Sequence, residues 1–299
     1  RRFCCFDRVP SMLRIITLGI GGFCIIKINQ WLPGMLIMKE NYPILEFDEA
    51  KTSILNPDVL LQPQCKPIVG GLPEVCVLCF HLPMLNKKVE SGELTQVGVA
   101  ETTNGDLPIF VRESYGKKVA VMHPQVGAPM SAMNMERLIV QGYKKFIILG
   151  GGAALIEKPG SSCVNILVSA VRDEGLSYHY LPPSREVHAD MEGITLFERI
   201  FLKRNIPYNL TKTWTTDAFF RETHHRRTMR LDEGCTVVEM EAAAFYAVAK
   251  FRGVQAVQIL TTGELVGLEG RENSTNWDHL LDTRENLFNL VIEAAFEWS

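Results

Sequence analysis

From Asn41 onward, short apolar runs alternate with longer amphipathic segments, and this alternation constrains the fold of the 299-residue chain more than any other feature. Short apolar runs are typical of strands that a sheet buries on both faces, whereas amphipathic segments predict helices that cover the sheet. Two predicted helices, Ser131–Gln141 and Glu241–Phe251, each end shortly before a glycine. The sequence therefore predicts a single α/β domain with a central mixed sheet flanked by helices. The predicted strands are Val75–Phe80, Leu107–Arg112, Lys118–Met122, Phe146–Leu149, Val164–Ala170 and Ala256–Leu260.

The first 38 residues differ from the rest of the chain. Several arginines precede the uncharged run Ile15–Ile26, a pattern that resembles a signal sequence or an anchor. That run is shorter than the roughly 20 apolar residues that a membrane-spanning helix needs. We therefore predict that residues 39–299 form the working domain and that residues 1–38 are an N-terminal extension, either part of the protein or an artefact of gene delimitation.

Charge and cysteine content exclude several classes of function. With 31 basic and 34 acidic residues the net charge is −3, so no global field attracts nucleic acid or an anionic membrane, and we expect a small-molecule partner. Eight cysteines in so long a chain are typical of free thiols in a reducing compartment, which predicts a cytoplasmic location. Cys76 and Cys79 have the C-x-x-C spacing, but no second pair follows, so we predict two buried thiols and no metal site.

Two carboxylates interrupt the apolar segment Val237–Ala249. Because an unpaired buried carboxylate is costly, each must find a partner or face a cavity. In an extended segment Glu239 and Glu241 would share a face, whereas in a helix they would point nearly opposite ways. The residues alone leave two alternatives open: a functional pair, or surface acids at the first turn of a helix, where the helix dipole favours negative charge.

The sequence Glu239-Met240-Glu241, followed by small residues and a helix, resembles the motif of the nucleoside phosphorylase family. The resemblance covers roughly Asn41 to Trp298 and is closest to the uridine-phosphorylase-like branch. It implies that Glu241 accepts hydrogen bonds from the ribose 2′- and 3′-hydroxyls, that Met240 packs on the sugar, and that Glu239 belongs to the same substrate-binding segment. The other matching blocks are HPQVGAP (residues 123–129), LGGGAAL (149–155), SAVRDEGLSYHYLPPSREV (169–187), TWTTDAFFRET (213–223) and NWDH (276–279).

The same resemblance assigns further binding residues. Phe219 stands where the family has a phenylalanine that stacks on the base, and Gly127 lies in a strand-to-helix turn that borders the nucleoside pocket. Gly151 and Gly152 follow a predicted strand, where glycines let backbone N–H groups approach an anion or a sugar. His179 lies in a loop that closes over the sugar in the family.

Phosphate binding is where this sequence departs from the family. Many uridine phosphorylases carry G-D-P-x-R near the N-terminus, but residues 72–80 contain no such motif. Ile148 and Gly152 stand where the family has an arginine and a threonine. Arg172 is a candidate substitute for the missing cation, with a surface salt bridge to a neighbouring acid as the alternative.

Glu264 is the candidate catalytic acid. It follows the last predicted strand, at the place where purine-specific relatives have an aspartate that protonates the departing base, and an exposed loop carboxylate is the alternative. A general acid assists because the departing base accumulates negative charge.

Together these residues predict a pentosyltransferase that cleaves a uridine-like or purine ribonucleoside with inorganic phosphate to give free base and ribose 1-phosphate. The resemblance implies no organic cofactor and a homo-oligomer. The alternatives are a nucleosidase that uses water in the same fold, which the missing arginine favours, and a non-catalytic nucleoside-binding or storage protein.

Overall fold

The computed structural model describes residues 42–61, 73–102, 105–156, 164–267, 271–273 and 277–299, together with the backbone of residues 17–20 and 23–26. The chain divides into two compact units, residues 1–43 and 44–299. In the first unit, strands β1 (Thr17–Ile20) and β2 (Phe23–Ile26) pair in antiparallel fashion. The boundary that we predict after residue 38 lies outside the described residues and stays a prediction.

The second unit alternates strands and helices, as the sequence predicts. Its described strands are β3 (Val75–Cys79), β4 (Thr95–Ala100), β5 (Leu107–Ser114), β6 (Lys117–Met122), β7 (Lys145–Ala154), β8 (Val164–Asp173), β9 (Glu186–His188), β10 (Asn209–Thr216), β11 (Cys235–Glu239), β12 (Gln255–Val266) and β13 (Arg271–Asn273). Its described helices are α1 (Pro57–Leu61), α2 (Leu82–Glu90), α3 (Ala128–Gln141), α4 (Met191–Lys203), α5 (His224–Asp232), α6 (Ala242–Arg252) and α7 (Trp277–Trp298).

The strands form the mixed sheet that the sequence predicts, and part of that sheet closes on itself. On one side, β4, β5 and β6 pair antiparallel, and β6 continues through parallel β3 to parallel β7. From β7, the pairing runs through β12, β8, β10 and β11 and returns to β7, which gives a closed ring of strands. Closure pairs both edges of each of these strands.

Strand β3 lies at the centre of the core. All five of its residues are buried, since β6 and β7 flank it and α7 packs against it. Cys76 and Cys79 both lie in this strand as free thiols, as predicted, and burial raises the pKa of each. Residues three apart in a strand point to opposite faces, so the two sulfurs do not face one site.

Strand β7 is longer than the sequence predicts. We expected the strand to end at Leu149 and the following glycines to form a loop, but β7 continues to Ala154. The reason is close approach of the neighbouring strand: a Cβ on Gly152 would lie 2.7 Å from the carbonyl oxygen of Val238 in β11. Glycine here lets β11 pair with β7 and close the ring.

Glycine and proline define the ends of the two predicted helices. Helix α3 begins at Ala128, earlier than predicted, because Pro129 is compatible with a first helical turn. It ends before Gly142, which adopts the left-handed conformation with φ 111°. Helix α6 ends in the same way at Gly253. In the described part of the chain, none of the helices combines the length and apolar character that crossing a bilayer requires.

Close packing of α4 on the sheet generates a stability prediction. A Cβ on Gly193 would lie 2.7 Å from Cβ of Val257 in β12 and 3.2 Å from Trp298 in α7. We expect Gly193→Val to force these elements apart and to lower the melting temperature by roughly 3 to 10 °C, since overpacking costs about 1 to 3 kcal/mol. Differential scanning calorimetry measures the shift.

The matched control is Gly98→Val in β4, where a Cβ would lie 3.9 Å from Ile109, an ordinary contact distance. Equal melting temperatures for the two variants would contradict the packing of α4 described above.

Candidate functional site

A cavity of about 330 Å³ opens where β3, β7 and β11 end. This is a volume typical of small-molecule sites, and in α/β proteins such sites lie at the carboxyl ends of strands. Its walls are the segment Gly150–Ala153 of β7, residues 238–241 where β11 leads into α6, and Phe80 with His81 after β3. Val126, Phe219, Glu222, Gln258, Gly263 and Arg284 complete the lining.

Glu239 is a buried carboxylate that organises one wall. Its Oε2 accepts hydrogen bonds from the backbone N–H groups of Glu241 (2.8 Å) and Ala242 (2.7 Å). Its Oε1 accepts from the hydroxyls of Thr215 (2.5 Å) and Thr213 (3.3 Å) on β10. Burial raises the pKa of Glu239, and these hydrogen bonds oppose the shift. The side chain therefore ties β11 to β10 and to the start of α6.

Glu241 lies at the N-cap position of α6, with its side chain in the cavity wall. It is only 6% exposed, so the alternative of a surface acid at a helix start is wrong for Glu241, and it is wrong for Glu239, which is 5% exposed. Burial, and the charge of Glu239 next to it, raise the pKa of Glu241 to about 8. The cavity thus presents a desolvated carboxyl group that gains from hydrogen-bond donors.

Gly127 supplies one such donor from the protein itself. The turn predicted for HPQVGAP is present, with φ of 96° at Gly127 and 66° at Gln125. This strained turn directs the N–H of Gly127 to Oε1 of Glu241 at 2.6 Å. Gly127 therefore orients the carboxylate, a connection that the sequence does not reveal.

Phe219 and Met240 both line the cavity, as the family resemblance requires. Phe219 begins a short 3₁₀ turn after β10 and is 39% exposed, with its ring edge against Phe220. A half-exposed aromatic ring beside an apolar opening offers a flat surface for stacking.

The predicted glycines form the opposite wall. Gly151 is exposed to the cavity, and Gly152 lies where β7 approaches β11 most closely. Both residues belong to β7 rather than to a loop, so the strand backbone itself lines the cavity.

Several cavity residues were not predicted from the sequence, among them His81 and Arg284. His81 follows β3 directly, and the place of that strand in the sheet is the signal that could have found it. Arg284 comes from α7 and donates from Nε to Oγ1 of Thr261 at 3.4 Å. No sequence pattern indicates that the final helix directs a side chain to this cavity.

Arg172 is buried but does not line the cavity. Its guanidinium donates to Oγ of Ser177 and Ser184 and to the carbonyl oxygens of Leu181 and Pro182, at 2.7 to 3.1 Å. It also lies over the ring of Tyr178. These hydrogen bonds, and not the surface salt bridge of the alternative, fix the Arg172 side chain. Through them Arg172 holds the loop after β8 in place.

His179 lies in this same loop, is exposed, and is likewise absent from the cavity lining. The side chain of Glu264 lies outside the part of the molecule that the structure describes, although its backbone pairs with Asn273 and Ala153 at the end of β12. Within the described residues, no group of three or more His, Cys, Asp or Glu side chains is arranged to hold a metal ion.

The chain is similar to several bacterial enzymes named purine nucleoside phosphorylase DeoD-type. It is 27% identical to those of an Exiguobacterium species and of Exiguobacterium sibiricum over 220 residues, which cover 67% of this chain and 86% of each relative. It is 25% identical to that of a Bacillus cereus strain over 186 residues, 61% of this chain and 75% of the relative.

The family model described as the phosphorylase superfamily matches residues 74–295. This range takes in the strands β3 to β13, the carboxylate pair and all of the described residues that line the cavity. The chain therefore belongs to the phosphorylase superfamily.

Proposed function

We propose that this protein is a nucleoside phosphorylase that transfers the ribosyl group of a ribonucleoside to inorganic phosphate. The observation that carries the proposal is the buried carboxyl group of Glu241 in the cavity wall, oriented by the N–H of Gly127 and flanked by Met240. Membership of the phosphorylase superfamily and similarity to relatives named as phosphorylases support it.

Recognition of ribose follows from the state of Glu241. Two vicinal hydroxyls donate to one carboxylate, which replaces the water that burial removed and favours the ionised form. Because Glu239 fixes the start of α6 and Gly127 fixes one oxygen, the sugar binds in one orientation. Such positioning is a large part of what a site contributes to a reaction between two bound groups.

The reaction needs a nucleophile, a leaving group and a proton. A phosphate oxygen forms a bond to the anomeric carbon as the N-glycosidic bond breaks, and the electron pair of that bond leaves with the base. In the proposal Phe219 stacks on the base at the cavity mouth, and the carboxyl group of Glu264 supplies the proton that the base takes up.

The proposed substrate class is ribonucleosides, since in the proposal Glu241 accepts hydrogen bonds from the two ribose hydroxyls. The relatives that match over 61–67% of the chain are named for purine nucleosides, whereas the sequence blocks resemble the uridine-phosphorylase-like branch.

Homo-oligomeric assembly and a cytoplasmic location stay predictions from the sequence. Sedimentation velocity tests the first and cell fractionation tests the second.

One prediction of the proposed function concerns nucleoside cleavage. Base release from uridine, inosine, adenosine and methylthioadenosine is expected to require phosphate and to yield ribose 1-phosphate from at least one of them. Glu241→Gln is expected to lower kcat/KM roughly tenfold to a hundredfold, because two hydrogen bonds to a charged group are lost. Glu113→Gln, an exposed carboxylate on β5, is the matched control.

Two results would contradict this prediction. Free ribose released without phosphate would identify a nucleosidase, and no release from any nucleoside would leave a binding or storage protein.

The second prediction concerns pH. Only the ionised form of Glu241 accepts both ribose hydroxyls fully, so nucleoside affinity is expected to rise as pH increases from 6 towards the raised pKa of about 8, by up to about tenfold per unit. Above that pKa the affinity levels off.

Isothermal titration of the nucleoside without phosphate, in buffers of different ionisation enthalpy, measures both the affinity and the proton released on binding. In Glu241→Gln the pH dependence is expected to disappear. A wild-type affinity that is constant from pH 6 to 9 would argue against contact between Glu241 and the ribose.

The third prediction concerns the acid. Glu264→Gln is expected to lower kcat roughly a hundredfold on the preferred nucleoside while KM changes little, because a general acid acts in the transition state. Unchanged turnover on every substrate of the panel would remove Glu264 from the mechanism.

A further inference from the structure

Two nitrogen-bearing side chains, one from the segment after β3 and one from α7, lie against the cavity wall formed by Gly150–Gly152. A Cβ built on Gly151 would lie 3.5 Å from Nη2 of Arg284 and 4.0 Å from Cε1 of His81. Both side chains line the cavity. The backbone of Gly151, the imidazole and the guanidinium therefore converge on one small region, in a cavity whose other wall carries Glu239 and Glu241.

Arg284 gives this region its positive charge. Among the described residues that line the cavity, it is the only lysine or arginine. Its guanidinium has several N–H donors, which suits an oxyanion held by more than one hydrogen bond. Arg172, the candidate cation from the sequence, donates its hydrogen bonds to the loop after β8.

His81 adds a hydrogen-bond acceptor near the positively charged side chain of Arg284. Its Nε2 is buried and has no hydrogen-bond partner among the described residues. A backbone hydrogen bond to Gly150 favours protonation of the ring, so the carbonyl accepts from the other nitrogen, Nδ1. That assignment leaves a lone pair on Nε2.

The groups around His81 keep it neutral. Burial and the charge of Arg284 lower its pKa to about 4, and His123, which also has a lowered pKa, adds to the shift. His123 comes from the segment after β6 and contacts Phe80 edge-on. At neutral pH the ring thus accepts a hydrogen bond rather than donating two.

We propose that Arg284 and Nε2 of His81 hold inorganic phosphate against Gly150–Gly152, with Nε2 accepting a hydrogen bond from a protonated phosphate oxygen. This inference rests on the proposed phosphorolysis and names the residues of its phosphate subsite. A bound phosphate that keeps one proton satisfies both partners, since its negative oxygens face Arg284 and its O–H faces the lone pair. Sulfate carries no proton at neutral pH, so the same arrangement selects phosphate over sulfate.

Direct binding of inorganic phosphate to the free protein tests the subsite without any turnover. Titration calorimetry and ³¹P NMR are expected to show phosphate binding both below and above the second ionisation of phosphate, because the monoanion and the dianion each keep a proton for the lone pair of His81 and a negative oxygen for Arg284. Sulfate is expected to bind roughly tenfold more weakly than phosphate at neutral pH.

Two variants distinguish the contribution of Arg284 to phosphate binding from that of His81. Arg284→Gln is expected to weaken both anions roughly tenfold or more, since it removes the charge. His81→Leu removes the acceptor and adds no other polar group, so the preference for phosphate over sulfate is expected to shrink. Arg204→Gln and His188→Leu, at two exposed residues outside the cavity, are the matched controls, and melting temperatures of all variants confirm folding.

The binding results test the phosphate subsite independently of whether the protein cleaves nucleosides. Phosphate affinity and selectivity that are unchanged in both cavity variants, or absence of phosphate binding to the wild type, would overturn the inference. Loss of affinity and of selectivity in the folded variants would support it even if no nucleoside is cleaved. Hydrolysis that depends on His81 but not on phosphate would overturn it by showing that the pair holds water instead.

Discussion

The carboxylate of Glu239 holds together three elements that would otherwise meet only through backbone pairing and apolar contact. Four donors, from two threonines of β10 and two N–H groups at the start of α6, surround one buried side chain. Removing such an acceptor leaves buried donors unsatisfied, which costs more than the hydrogen bonds themselves contribute. The position of Glu241, and through it the geometry of the cavity, depends on this one group.

The second constraint is the close approach of strands around the ring. β11 meets β7 at Gly152, where any side chain would collide with the backbone of Val238. The same absence of side chains exposes backbone to the cavity at Gly151. One short glycine segment therefore both allows the ring of strands to close and shapes one wall of the cavity. The cavity then has the carboxyl groups of Glu239 and Glu241 on one wall and the guanidinium of Arg284 near the other.

The sequence predicted six strands of the sheet, the α/β class and the carboxylate motif, because buried apolar runs and helix ends are local signals. It missed other elements, among them β10, β11 and α7, and it misplaced the end of β7; pairing with distant strands decides the course of β7, β10 and β11. Arg172 shows the limit most clearly. It was a candidate because the predicted phosphate site otherwise lacked a cation, and only the three-dimensional path of the loop shows that its donors are occupied by carbonyl and hydroxyl groups.

The cavity joins residues that are far apart along the chain, from Phe80 after the first core strand to Arg284 in the last helix. Loop-closure entropy must be overcome before such distant segments meet, and no local fragment of the chain contains the whole site. During synthesis on the ribosome, the early strands emerge long before α7 does, and one side of the cavity is missing until α7 has emerged. Ligand binding therefore depends on α7 as well as on the sheet, because a truncation that removes α7 takes Arg284 out of the site and uncovers the strands on which α7 packs.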